Sequence, residues 1–265
     1  MKTELYYFTG TGNGLHIAKS IRKNLASLNQ EALLIPINTL DLSQKIETSA
    51  ERIGIIYPTY GMTAPAIVKA FAHQLSVSKE SYVFLYAHSG GAGCAGSLYP
   101  ISKILSENGV EISNTFETKF PSNSTLMAYK PGKVDQVLVK SEVSVQENML
   151  PIINKEKRKF TKLNPIKKAS LSLTEKVAGT VEHMMQFKVI APDDSCNRCS
   201  TCVKVCPVGN IELENKKPTF SDNCEMCLSC VNQCPKKSLS FGKMKKEKLI
   251  SYRHPQVTIK ELMYR

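Results

Sequence analysis

The sequence predicts an α/β protein, in which a doubly wound parallel sheet of five strands is followed by a small, cysteine-rich α+β domain. Three observations predict this architecture. Apolar runs alternate with segments of helical spacing over residues 1–120, a glycine-rich loop follows the first run, and eight cysteines fall in two runs between residues 196 and 234. The length of 265 residues is consistent with two domains.

The first part of the chain alternates strands and helices. Apolar runs predict strands at 5–8, 32–37, 52–57, 82–87 and 110–120, and apolar spacing predicts helices at 15–28, 64–75 and 95–108. This order predicts a parallel sheet with helices on both faces and ligand contacts at the carboxyl ends of its strands. Residues 133–160 are compatible with a further helix.

The loop after the first strand, Thr9-Gly10-Thr11-Gly12-Asn13-Gly14, has the composition of a phosphate-binding turn. Glycines let the backbone approach an anion, while N–H groups at a helix start and threonine hydroxyls donate to it. The spacing matches neither the P-loop nor the dinucleotide-binding glycine pattern. The loop resembles the one by which flavodoxins bind the phosphate of FMN, except that Gly14 stands where those proteins usually carry Thr or Ser.

Two later loops follow strands and should reach the same edge of the sheet, where the resemblance implies the flavin ring. Tyr60 is expected to stack on the ring because the chain has no tryptophan, the alternative being an ordinary half-buried tyrosine. Glycines in the later loop suit a close approach to a flat ring. The predicted contacts are Pro58, Thr59, Tyr60 and Gly61 in one loop and His88, Ser89, Gly90, Gly91, Gly93 and Cys94 in the other, with residues 120–123 on the same rim.

Two of these residues have simpler alternatives. Cys94 is better explained as a small packing residue at a helix start than as a redox thiol. His88 is better explained as a strand-end histidine in a hydrogen bond than as a group beside the flavin. The remaining histidines, at positions 16, 73, 183 and 254, have no metal-binding spacing.

The cysteine runs are Cys196-x2-Cys199-x2-Cys202-x3-Cys206-Pro and Cys224-x2-Cys227-x2-Cys230-x3-Cys234-Pro. This spacing is typical of bacterial ferredoxins with two [4Fe–4S] clusters, in which the fourth cysteine of each run ligates the other cluster. One cluster is therefore expected on Cys196, Cys199, Cys202 and Cys234, and the other on Cys206, Cys224, Cys227 and Cys230. The runs also repeat internally, and a short strand is predicted after each, around Ile211 and Leu239.

Zinc and disulfides are the alternatives for these cysteines. Structural zinc takes four ligands, commonly in separated pairs, which leaves the third cysteine of each run and the prolines unexplained. Disulfides would require an oxidising compartment. Cysteine is otherwise confined to Cys94, and the N-terminus resembles no signal peptide, so we expect a cytoplasmic protein without a membrane span.

The net charge of +12 is concentrated in two segments, 155–168 and 236–265, whose net charges are +6 and +7. This uneven distribution, with no aromatic interleaving, does not favour nucleic-acid binding. Two interpretations remain: solvated segments that keep the protein soluble, or a docking surface for an acidic redox protein partner. We predict domains at 1–160 (FMN-binding) and 190–243 (ferredoxin), joined by a basic, helical connector at 161–189 and followed by a basic tail at 244–265, either packed or loose.

A flavodoxin-like domain followed by a two-cluster ferredoxin resembles the EFR1-type flavodoxin–ferredoxin fusion family of bacteria and archaea. The resemblance implies FMN, two [4Fe–4S] clusters and electron transfer of an anaerobic type. We therefore expect an oxidoreductase or electron carrier that passes electrons between the clusters and FMN. The alternatives are an FMN-dependent reductase of a small organic substrate, and a non-enzymatic redox sensor.

Overall fold

The computed structural model describes residues 2–91, 93–123, 132–158, 189–190, 192–241 and 251–265. Most of the predicted connector and much of the two basic segments therefore lie outside the described residues. We refer to residues 2–158 as the sheet domain, residues 189–241 as the cysteine domain and residues 251–265 as the C-terminal strap.

Seven strands lie among the described residues of the sheet domain: β1 Lys2–Tyr7, β2 Glu31–Pro36, β3 Ile46–Thr48, β4 Arg52–Pro58, β5 Leu75–Val77, β6 Tyr82–Ser89 and β7 Asn114–Lys119. Five of them form one parallel sheet in the order β2-β1-β4-β6-β7. This is the 2-1-3-4-5 order of flavodoxin-like folds, so the predicted fold is confirmed. Strands β3 and β5 pair in parallel beside the sheet and were not predicted from the sequence.

In the part of the chain that the structure describes, five helices pack on this sheet: α1 Asn13–Ala26, α2 Ala66–Gln74, α3 Ala95–Glu107, α4 Lys133–Glu147 and α5 Met149–Ile153. Side chains alternate across each strand, so Val83 and Leu85 of β6 face α2 and α3, while Phe84 and Tyr86 face α1, α4 and α5. No helix among the described residues is long and apolar enough to cross a membrane.

The fifth strand of the sheet begins later than the sequence suggests. Gly109 has a φ of 76°, and the N–H of Val110 donates to the carbonyl of Leu105. This arrangement is a helix C-cap that turns the chain after α3. Val110 is therefore used by the cap, and the strand starts at Asn114 rather than at residue 110.

The cysteine domain contains helices α6 Thr201–Lys204 and α7 Ser229–Gln233 and strands β8 Val189–Ile190, β9 Ile211–Glu214, β10 Lys217–Phe220 and β11 Ser240–Phe241. Strand β9 pairs with β10, and β11 pairs with β8, both antiparallel. A strand thus follows each cysteine run, as predicted. Val205, Ile211, Leu228, Val231 and Leu239 form a small core together with the cysteines.

The described part of the predicted tail, the C-terminal strap, packs back on the molecule and is not loose. It contains one turn of 3₁₀ helix, Lys260–Leu262. Val257 and Leu262 are buried in the core on the α1 face of the sheet. The chain's last described segment is therefore part of the sheet domain's packing.

Candidate cofactor sites

The glycine-rich loop, residues 9–14, joins β1 to the start of α1 at the carboxyl edge of the sheet, and all of it is buried. Gly12 has a φ of 100°, which favours glycine, and its N–H donates to Oγ1 of Thr9 at 3.0 Å. A Cβ on Gly10 would lie 2.5 Å from the carbonyl oxygen of Cys227. Both glycines are therefore required by the local geometry.

Apart from the N–H of Gly12, several backbone donors of this loop lack partners among the described residues. Within the described residues, the N–H groups of Gly10, Thr11, Asn13 and Gly14 make no hydrogen bond, although the loop is buried. Buried backbone donors are nearly always paired, and the first N–H groups of a helix attract anions. A phosphate placed here would satisfy them, so the donors of the loop suit an anion such as phosphate.

The loop at the end of β4 (residues 58–61) and the loop at the end of β6 (residues 88–91 and 93–94) lie side by side at the same edge of the sheet. We call them the two ring loops. The N–H of Thr59 donates to the carbonyl of His88 at 2.7 Å, and Oγ1 of Thr59 is 2.7 Å from Oγ of Ser97 at the start of α3. Gly96 packs directly on the backbone of Met62. The sequence prediction that these loops converge is consistent with this arrangement.

Tyr60 lies between the glycine-rich loop and the cysteine domain. Its hydroxyl is 2.9 Å from the position of a Cβ on Gly10, and its ring packs against the core cluster that includes Cys227. Burial, together with the neighbouring Cys227, raises the pKa of this phenol well above its usual value. Tyr60 is thus held neutral at the junction of the two domains, and its stacking on a flavin stays a prediction.

His88 points away from the ring loops. Its side chain lies on the α1 side of the sheet, with Nε2 at 3.5 Å from the position of a Cβ on Gly14 and the ring edge-on to Phe120. Nε2 has no hydrogen-bond partner within the described residues. Burial lowers the pKa of His88 to about 3, so the imidazole is neutral.

Cys94 is the N-cap residue of α3 and is only 1% exposed. Burial raises the pKa of its thiol to about 11. A thiol of this kind is protonated at neutral pH, in agreement with a packing role rather than a redox role.

The remaining cysteines line two cavities. One is lined by Cys196, Cys199, Cys202 and Cys234. The other is lined by Cys206, Cys224, Cys227 and Cys230. We call these the first and second cavities. Each combines three cysteines of one run with the fourth of the other, which is the grouping that the spacing predicts.

Both runs curl around their cavity in the same way. Arg198 and Ser200 in the first run, and Met226 and Leu228 in the second, have φ between 49° and 62°. A left-handed conformation costs such residues roughly 1–2 kcal/mol each and persists where the surroundings impose it. The repeated pattern shows that the cysteine spacing dictates one backbone path in both runs.

This path directs backbone N–H groups at sulfur. Asn210 donates to Sγ of Cys206 at 3.2 Å, Met226 to Sγ of Cys224 at 3.4 Å, and Ser238 to Sγ of Cys234 at 3.4 Å. Burial raises the pKa of the thiols of Cys202, Cys227 and Cys230, so thiolates there need a compensating cation. Soft sulfur ligands, N–H donors and a cation requirement fit an iron–sulfur cluster in each cavity.

The second cavity adjoins the glycine-rich loop. Cys227 is 8% exposed and belongs to the core of the sheet domain. Its carbonyl accepts a hydrogen bond from Nδ2 of Asn123 at 3.1 Å. The carboxylate of Glu225 accepts the N–H groups of Ala66 and Ile67, at 2.9 and 2.7 Å, at the start of α2.

A third cluster was missed by the sequence analysis. It consists of His16, Glu142 and His254, each of which offers one possible metal-ligand atom, and these three atoms lie within 4.8 Å of one another. Two histidines and a carboxylate can bind zinc or iron. The two imidazoles are stacked, with centroids 3.8 Å apart and planes at 17°, so their lone pairs do not converge. Nδ1 of His254 accepts the N–H of Gln256, which leaves the ring proton on Nε2, facing Glu142. We therefore interpret the cluster as a packing contact between the strap and the sheet domain.

Comparison with known proteins supports the metal chemistry. Residues 188–235 match a family model described as a 4Fe-4S dicluster domain. This match indicates [4Fe–4S] clusters in the cysteine domain. No curated protein matches the chain.

Several solved structures resemble the sheet domain. A flavodoxin from Bacillus cereus is 15% identical, with 55% of this chain and 98% of that chain covered and a TM-score of 0.37. A flavodoxin from Streptococcus pneumonia TIGR4 is 13% identical, with 56% and 99% covered and a TM-score of 0.37. A rubredoxin oxygen:oxidoreductase from Desulfovibrio gigas is 11% identical, with 58% of this chain and only 36% of that chain covered and a TM-score of 0.37. The fold assignment rests on the strand order, not on these similarities.

Proposed function

We propose that this protein is an electron-transfer flavo-iron–sulfur protein that passes electrons between two [4Fe–4S] clusters and FMN. The observation that carries the proposal is the position of Cys227. This residue lines the second cavity and at the same time contacts the glycine-rich loop and Tyr60. A cluster in that cavity would therefore adjoin a flavin bound at the loop.

The residues support this assignment in both domains. The unpaired N–H groups of the glycine-rich loop would hold the phosphate of FMN. The two ring loops would flank the ring, with Tyr60 on the side of the cysteine domain. When bound, FMN supplies the ability to exchange electrons one or two at a time, whereas each cluster exchanges one.

The arrangement supports an order for the electron path. Each cavity has one exposed cysteine, but only one cysteine of the first cavity is buried, whereas three of the second are: Cys206, Cys227 and Cys230. We propose that the first cluster meets an external redox partner and that the second transfers to and from FMN. Joining the centres in one chain replaces a diffusional encounter by a fixed contact. A cytoplasmic location and an acidic partner stay predictions.

Anaerobic purification followed by iron, sulfide and flavin analysis tests the cofactors. About eight irons and one FMN per chain are expected from two cubanes and one loop. Stoichiometric zinc without flavin would contradict the proposal. A redox titration that follows flavin absorbance and cluster EPR signals in the same sample then shows whether all centres are redox-active.

The same protein separates the two alternative functions. A reductase would oxidise its reduced flavin on addition of a small organic acceptor, with turnover. A sensor would show partner binding that depends on oxidation state, without turnover. A carrier is expected to exchange electrons with a redox protein and to show neither behaviour.

A further inference from the structure

The C-terminal strap lies directly on the glycine-rich loop. The N–H of His254 donates to the carbonyl of Thr11 at 2.9 Å. A Cβ on Gly12 would lie 3.1 Å from Cβ of Val257 and 3.2 Å from Cβ of His254. At the far end of the strap, the hydroxyl of Tyr264 donates to the carbonyl of Thr9 at 3.3 Å. The loop is therefore covered along its length by residues more than 240 positions away in the chain.

Tyr252 makes the contact that bears most directly on a bound anion. Its hydroxyl donates to Oδ1 of Asn13 at 2.7 Å, and the bond is buried. This bond orients the amide so that Oδ1 is engaged and the Nδ2 donor is left for another group. Asn13 is the first residue of α1, where the helix N-terminus favours negative charge.

The strap is also attached to the cysteine domain. The N–H of Tyr252 donates to Oδ1 of Asn232, and Nη1 of Arg253 is 3.0 Å from Oε1 of Gln233. Both partners belong to α7, whose residue Cys230 lines the second cavity. The N–H of Tyr264 donates to the carbonyl of Lys204 at 2.9 Å. One segment thus touches the glycine-rich loop and both sides of the cysteine domain.

We infer that the C-terminal strap completes the phosphate site, with Tyr252 as a positioning residue that orients Asn13 toward the phosphate of FMN. The inference rests on the proposed function, because it assumes that the loop binds the phosphate of a flavin nucleotide. Tyr252 contacts Asn13 with its side chain and Asn232 with its backbone. The strap therefore holds the phosphate site in a fixed position relative to the second cavity.

The test compares FMN with riboflavin, which has the same ring and no phosphate. Flavin-free protein with its clusters retained is titrated anaerobically with each, by quenching of flavin fluorescence. The variants are Tyr252→Phe and, as a matched control, Tyr82→Phe. Tyr82 is another buried tyrosine whose hydroxyl donates a hydrogen bond, in its case to the backbone carbonyl of Glu156. It lies at the start of β6, away from the carboxyl edge of the sheet.

Tyr252→Phe should weaken FMN binding about tenfold and leave riboflavin binding unchanged, since loss of one buried hydrogen bond has about that effect on an equilibrium constant. Tyr82→Phe should leave both ligands unchanged. Equal FMN affinity in Tyr252→Phe and wild type would overturn the inference, as would an equal loss for both ligands. Wild-type protein that binds neither flavin would overturn the proposed function as well.

Hydrogen exchange on the wild-type protein is a second measurement that needs no variant. Adding FMN should slow amide exchange at residues 252–258 as well as in the glycine-rich loop, and riboflavin should not slow exchange in the strap. Protection of the loop without any change in the strap would contradict the inference while leaving FMN binding intact.

Discussion

The first and second cavities arise from an internal repeat, yet their surroundings differ. In the first run, Arg198 and Cys199 are exposed; at the matching positions of the second run, Met226 is half-buried and Cys227 is buried. The local backbone is the same in both, with positive φ at the same two positions of each run. The difference therefore comes from the sheet domain, which packs against the second run.

This comparison shows how one sequence pattern can serve two roles. Cysteine spacing determines how sulfur atoms face a cavity, and that part is shared. Burial, solvent access and nearby dipoles tune a cluster's potential, and those differ between the cavities. We therefore expect the two clusters to have different potentials and different reaction partners.

Replacing the fourth cysteine of either run by serine is expected to have the largest effect on the difference between the two cavities. Cys206→Ser should remove the cluster of the second cavity, and Cys234→Ser that of the first, because each fourth cysteine lines the other run's cavity. Iron should fall from about eight to about four per chain in both variants.

Only Cys206→Ser should then interrupt electron transfer to the flavin. In this variant the remaining cluster, that of the first cavity, should reduce the flavin at least about tenfold more slowly. Rapid mixing with a strong reductant, followed by flavin absorbance and EPR, measures both effects. Loss of the first cavity's cluster in Cys206→Ser would show that the ligands are not crossed.

Acid should destabilise the sheet-domain side of the molecule. Burial lowers the pKa of His88 and of His254 to about 3, so each stays neutral in the folded state while the unfolded state takes up a proton below pH 6.5. Their stabilising effect is complete above pH 6.5 and is lost as pH falls toward 3. From pH 7.5 to 5.5 the free energy of unfolding should fall by about 1.4 kcal/mol for each.

Urea unfolding at the two pH values measures this effect, with His88→Gln as the comparison. The variant should show a loss smaller by about 1.4 kcal/mol, because glutamine does not titrate. An identical pH dependence in wild type and variant would show that His88 is accessible to protons in the folded protein.

The docking of the second run can be weakened at Glu225. Glu225→Ala removes the carboxylate that caps the start of α2 and should cost about 1 kcal/mol at the domain contact. Its counterpart in the first run, Asn197, is exposed, so Asn197→Ala is the matched control and should have no effect. Hydrogen exchange of the first turn of α2 provides the measurement. Equal exchange in the two variants would contradict a docking role for Glu225.

Cys94→Ala should have the smallest effect. The side chain packs in the core of the sheet domain, so its truncation should lower the free energy of unfolding by about 1 kcal/mol. Cluster content and flavin content should be unchanged. A reduced iron count in this variant would instead assign Cys94 a role in cluster binding or assembly.

Much of the fold and of the cavities could be predicted from the sequence because the signals are local. Strand and helix periods identified the five strands of the sheet, with the main error at residues 110–113, where Gly109 caps α3. The cysteine spacing predicted the grouping around each cavity. The glycine-rich loop was recognised because glycines and hydroxyls fall within six consecutive residues.

Other features could not be predicted, since they depend on contacts between distant parts of the chain. His16 and His254 have no metal-binding spacing, yet their rings stack. His88 shares a face of β6 with Phe84 and Tyr86, and only the packing of α1, α4 and α5 on that face shows that its side chain points away from the ring loops. The strap was left between packed and loose because its basic composition contains no strong periodic signal.

By itself, the sequence determined the chemistry available to this protein: soft ligands in two runs, a glycine-rich turn with the composition of an anion-binding loop, and alternating strands and helices. These depend on the backbone path over a few residues. Only the tertiary structure decided which cavity adjoins the glycine-rich loop and that the strap covers this loop. The bond between Tyr252 and Asn13 joins residues 239 positions apart, and such a contact forms only when the whole chain has packed.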